Sequence, residues 1–120
     1  MAETYWKYAK KVIYQVTGFD LTQDPPSILF NDIRVNKKTE RQFITDILLT
    51  TKYAIYKNGL DNLNAENNSH PSIPEVKRRL YKIYSETYYA NICIEKNYQF
   101  WNTAFQKICI ILGQKQMLKY

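Results

Sequence analysis

Four stretches of the chain repeat large apolar residues at steps of three and four, the period of an amphipathic helix. Residues 4 to 17 place Tyr5, Ala9, Val12, Ile13 and Val16 on one face, with Lys7, Lys10, Lys11 and Tyr14 on the other, and Gly18 stands where a left-handed cap would end the helix. Residues 39 to 58 open with Thr39-Glu40-Arg41-Gln42, a capping box, carry the stripe Ile44, Ile47, Leu48, Thr51 and Ile55, and meet Gly59 as a stop. The third helix starts at a second capping box, Ser72-Ile73-Pro74-Glu75, and runs to about residue 96. Its repeat is Val76, Leu80, Ile83, Thr87, Ala90 and Ile94, with Tyr81, Tyr88 and Ile92 on the opposite side. A helix with apolar groups on two sides either packs centrally or exposes a sticky stripe. After a break near Asn97, Trp101, Phe105, Ile108 and Leu112 define a fourth helix that frays beyond Gly113.

No strand-like alternation competes with these helices. The expected fold is all-α: a single domain over residues 1–120, a compact bundle of four main helices with a short extra helix near residues 25–31. Asp24-Pro25-Pro26 supplies the cap and first-turn proline of that extra helix, and Ile28, Leu29 and Phe30 its apolar contacts. The segment from Asn58 to His70 is rich in Asn, Asp, Gly and Ser, with too few apolar groups to offset the entropy of ordering it, so a mobile loop is expected at about 59–71 and a frayed tail at about 114–120.

Charge adds a direction to this picture. Lys and Arg number 17 against 11 Asp and Glu, a net charge of +6. A basic balance of that size suits an anionic partner without requiring one. Eleven Tyr beside only three Gly and four Pro fit long helices whose outer rings can pack or stack. The longest uncharged apolar run near the end, Ile108 to Leu112, is far short of a membrane span, and no signal-peptide pattern opens the chain, so the sequence reads as an intracellular protein outside the membrane. Cys93 and Cys109 fall at different levels of a helical hairpin, which predicts two reduced thiols.

Catalytic chemistry finds little to work with. His70 is the single histidine and sits in the predicted loop. No CxxC or HxxxH spacing supports a metal site, three scattered glycines build no phosphate loop, and Glu40 and Glu75 are explained as first-turn acids. The chain is expected not to be an enzyme and to need no cofactor.

Two surfaces remain as candidates. Arg78, Lys82 and Lys96 with Tyr89 on the third helix, and Lys7, Lys10, Lys11 and Tyr14 on the first, interleave cations with rings in the manner of RNA or DNA contacts. The competing reading is a protein-interaction module in which Tyr81, Tyr88 and Ile92, or Leu49, Tyr53 and Tyr56, dock a partner or a second copy. An immunity-type inhibitor of another protein belongs to that same reading.

A series of landmarks spans the chain from about Tyr5 to Ile108: Tyr5-Trp6 before a helix, Asp20-Leu21-Thr22, Ile28-Leu29-Phe30, and Ile47 to Lys57 reading ILLTTKYAIYK. Pro71 and Pro74 follow, then Glu95, Asn97, Phe100 and Trp101. In order and spacing these resemble the C-terminal segment, after the zinc-knuckle-like region, of LINE-type (non-LTR) retrotransposon reverse-transcriptase polyproteins. The linker between Lys57 and Pro74 is longer than that pattern usually has, and the Cys/His cluster, reverse transcriptase and endonuclease of such polyproteins have no counterpart in this sequence. The resemblance implies a non-catalytic accessory domain that binds or positions an RNA or DNA template beside the catalytic parts of a retroelement protein.

Overall fold

The computed structural model describes residues 2–20, 38–64, 72–94 and 98–114, and among them all regular structure is helical. Helix α1 spans Ala2–Thr17, α2 Lys38–Asn64, α3 Ile73–Ile94 and α4 Tyr98–Leu112. The expected four-helix all-α bundle is therefore what forms. The extra helix near residues 25–31, residues 65–71 of the predicted loop, and the tail from 115 lie outside the described residues.

Helix ends follow local chemistry. At the end of α1, Gly18 adopts φ +77° and its N–H donates to the Tyr14 carbonyl at 2.8 Å. The Thr17 hydroxyl donates to the Ile13 carbonyl at 2.7 Å and accepts the Phe19 N–H at 3.1 Å. Helix α4 ends in a Schellman motif: Gly113 at φ +65° donates to Ile110, and Gln114 donates to Cys109 at 2.9 Å. At the start of α3, Ser72 accepts the Glu75 N–H at its hydroxyl, 3.4 Å away, while the Glu75 carboxylate holds Arg79 at 3.2 Å. Gly59 does not stop α2, which continues to Asn64. A glycine ends a helix by turning left-handed, and Gly59 keeps a negative φ; as a helical residue it costs only about 1 kcal/mol against alanine.

In the bundle, α1 packs against α2 and α4, α3 packs against the same two, and α1 touches α3 across the middle. The predicted face of α4 is buried, as is that of α1 except for half-buried Val16, and α1 adds Trp6 and Tyr8. On α2 the core gains Phe43 and Ala54, while Ile55 is half-buried. Phe43 meets Trp101 at 5.1 Å between ring centroids, tying α2 to α4.

Helix α3 is rotated relative to the face its sequence suggests. Its buried residues are Val76, Leu80, Tyr84 and Tyr88, stepping by four, followed by Asn91. Ile83 is half-buried, Ala90 is exposed, and the side chain of Ile94 is not described. Tyrosine rings bury far more area than Thr87 or Ala90 could, and both tyrosine hydroxyls find partners inside. Tyr88 donates to Asn102 Oδ1 on α4. Asn91 bridges to α2 by donating to Asp46 Oδ2 at 3.3 Å.

The Tyr84 hydroxyl lies 2.6 Å from Thr51 Oγ1, which itself donates to the Ile47 carbonyl at 2.6 Å. Thr51 has spent its proton on Ile47, so Tyr84 is the donor, and burial pushes its phenol well above the ordinary range and keeps it protonated. Thr51→Val strands a buried O–H and is expected to cost about 1–3 kcal/mol. Tyr84→Phe leaves Thr51 bonded to Ile47 and is expected to cost about 0.5–1.5 kcal/mol. Denaturant melts of the two variants check the order, and a Tyr84→Phe variant less stable than Thr51→Val would refute the donor assignment.

Candidate nucleic-acid interface

Lys7 and Lys11 stand one turn apart on α1, with Tyr8 between them and its ring buried. Helix α3 brings Lys77 to the same ring. The three ammonium groups lie 5.9, 5.6 and 5.5 Å from the Tyr8 centroid, within the range of cation–π attraction. The ring's quadrupole thus offsets part of the repulsion that gathering three cations creates. None of the three lysines pairs with a carboxylate among the described residues.

The positive surface continues along α1. Lys11 also lines a cleft of about 470 Å³ with Gln15, Lys107, Ile110 and Ile111. There Lys107 of α4 donates to the Gln15 carbonyl at 3.1 Å, satisfying one of the backbone acceptors left open at the C-terminal end of α1 and placing its charge where the helix dipole favours it. Lys77, Lys7, Lys11 and Lys107, drawn from three helices, form one basic track. Exposed Tyr14 and half-exposed Lys10 belong to the same helix.

Arg78 and Lys82 are elsewhere. They line an open groove of about 330 Å³ between α2 and α3 together with Tyr53, Lys57, Ile83, the Glu75–Arg79 ion pair and Glu86. The structure thus separates the two basic flanks that the sequence suggested and joins α3 to α1 through Lys77 instead. Tyr89, expected as a ring among the cations of α3, is half-buried with its ring 5.3 Å from that of Tyr88. Lys96 lies outside the described residues.

The candidate docking residues divide in the same way. Tyr88 is a core residue and Tyr81 is half-buried with its ring 5.8 Å from Phe105, so α3 packs centrally and these two present no docking stripe. The side chain of Ile92 is not described. Leu49, Tyr53 and Tyr56 of α2 are exposed. Sequence reasoning missed Lys77, Lys107 and Lys57. Lys77 follows Val76 at the edge of the core stripe, a signal that becomes readable only when α1 is known to lie on that side.

Cys109 is a buried free thiol whose pKa burial raises, while the side chain of Cys93 is not described. The described residues hold no group of three or more His, Cys, Asp or Glu arranged for a metal ion, and no described helix is long and apolar enough to cross a membrane. Comparison with protein-family models, curated proteins and solved structures finds no match to this chain.

Proposed function

We propose that the chain is a non-catalytic nucleic-acid-binding domain that holds an RNA or DNA template for the polymerase parts of a retroelement protein. The observation that carries this reading is the convergence of Lys7, Lys11 and Lys77 on Tyr8 without an opposing carboxylate among the described residues, extended by Lys107. Such a track neutralises successive phosphates and releases their condensed counterions. Tyr14, exposed on the same helix, offers a face on which an unpaired base can stack. The order of the landmarks from Tyr5-Trp6 to Phe100-Trp101 supports the retroelement setting.

The test is a salt series of binding to single-stranded RNA and DNA. If each lysine neutralises one phosphate, Lys7→Ala/Lys11→Ala/Lys77→Ala lowers the slope of log affinity against log salt by about 2, at roughly 0.7 per contact, and weakens binding most at low salt. Lys38→Ala, at the start of α2, leaves both unchanged. Absence of binding at low salt, or a triple variant with the wild-type slope, would sink the reading.

A further inference from the structure

Helix α2 carries a second unexplained surface. Leu49, Tyr53, Tyr56 and Leu60 are 48, 55, 64 and 42% exposed. Their steps of four, three and four form a straight seam along the helix, roughly 16 Å long at about 1.5 Å per residue. Large apolar groups scattered singly on a surface are ordinary, but a contiguous row of four marks a contact site. The core of the bundle uses the opposite face of α2, through Ile44, Ile47, Leu48 and Thr51, so none of the four seam residues belongs to the buried core.

The borders of the seam decide its occupant. Lys52 flanks it on one side, and Lys57 flanks it on the other, where the groove adds Arg78 and Lys82. Of the two carboxylates lining that groove, Glu75 is engaged by Arg79, which leaves Glu86 against three cations. An identical copy docking by two-fold symmetry would set these basic borders against one another, which opposes self-pairing. A nucleic-acid strand could stack on Tyr53 and Tyr56 but would leave the aliphatic ends, Leu49 and Leu60, against polar backbone. An apolar row with basic borders is complementary to a helix with apolar anchors at steps of three and four and acidic flanks. Tyrosine is also among the residue types enriched at the anchoring positions of protein interfaces.

We propose that the outer face of α2 docks an acidic amphipathic helix of a partner protein, with Tyr53 and Tyr56 as anchors and Lys57, Arg78 and Lys82 as its electrostatic border. This surface is separate from the Lys7/Lys11/Lys77 track, so either assignment can fail alone.

The probe is a designed peptide of about four helical turns with leucines at steps of four, three and four and glutamates on both flanks. A twin carries lysines in place of the glutamates, and a third peptide has the acidic composition in scrambled order. Titration by fluorescence anisotropy is expected to show binding of the acidic amphipathic peptide alone. Tyr53→Ala/Tyr56→Ala should weaken it at least tenfold, Lys57→Glu/Lys82→Glu should shift preference to the lysine peptide, and Lys7→Ala/Lys11→Ala/Lys77→Ala should change nothing. All the substituted side chains lie outside the buried core, and circular dichroism melts confirm that each variant is folded.

Failure of the acidic peptide to bind, equal binding of the scrambled peptide, or indifference to the tyrosine variant overturns the proposal. So does a concentration-dependent dimer abolished by Tyr56→Asp, which would make the occupant a second copy. Loss of RNA binding in Tyr53→Ala/Tyr56→Ala would likewise reassign the seam to base stacking.

Discussion

Replacing Tyr88 with alanine is expected to destabilise the protein by about 3–5 kcal/mol, the range for removing a large aromatic from a core. Tyr88 is 1% exposed and its ring centroid is 4.5 Å from that of Phe105, so truncation opens a void between α3 and α4 as well as removing the ring from its apolar surroundings. The lost hydroxyl adds a smaller cost, because Asn102 is only half-buried and water can replace its donor. Tyr88→Phe isolates that part and is expected to cost about 0.5–1.5 kcal/mol. On an exposed docking stripe, Tyr88→Ala would instead fall within about 0.5 kcal/mol of wild type. Urea melts with unchanged m-values separate the two situations.

The two faces of α3 show where sequence reading succeeds and where it stops. Helices α1 and α4 were legible because Tyr5, Ala9, Val12 and Ile13 on one and Trp101, Phe105, Ile108 and Leu112 on the other each form a dominant arc in which period and face coincide, although Tyr14 and Ile110 stand exposed on the far sides. In α3 the apolar residues and tyrosines surround the helix, and the period alone admits two rotations. What decides between them is area and hydrogen-bonding opportunity: Tyr84 finds Thr51 on α2 and Tyr88 finds Asn102 on α4. Both partners are distant in sequence, so nothing local to residues 76–91 announces them. The end of α2 was missed for a different reason, since a glycine permits a left-handed cap without imposing one.

The candidate site was legible to a similar depth. Lys7 and Lys11 stand out from spacing on α1, but the buried ring that gathers them with Lys77 depends on how α1 crosses α3. Arg78 and Lys82 share a helix with Lys77 yet serve a different groove, because neighbouring residues on a helix point about 100° apart. The exposed seam of α2, by contrast, was partly visible in Leu49, Tyr53 and Tyr56, since the stripe Ile44, Ile47, Leu48 and Thr51 already claims the other side for the core.

Leu80→Ala is expected to cost about 2–5 kcal/mol, whereas Ile83→Ala, one turn further along α3, should cost distinctly less. Leu80 is fully buried on the face that α3 turns into the bundle, so its removal leaves a cavity that surrounding rings can fill only in part. Ile83 is half-buried and lines the open groove beside Tyr53 and Lys82, where solvent already reaches part of the side chain and can occupy the space it vacates. Ala90→Ser, on the exposed side of α3, should stay within about 0.5 kcal/mol of wild type. Chemical denaturation of the three variants reads the rotation of the helix directly. Equal losses for Leu80→Ala and Ile83→Ala would mean that α3 buries the face given by its sequence period, and the groove holding Arg78 and Lys82 would then have to close.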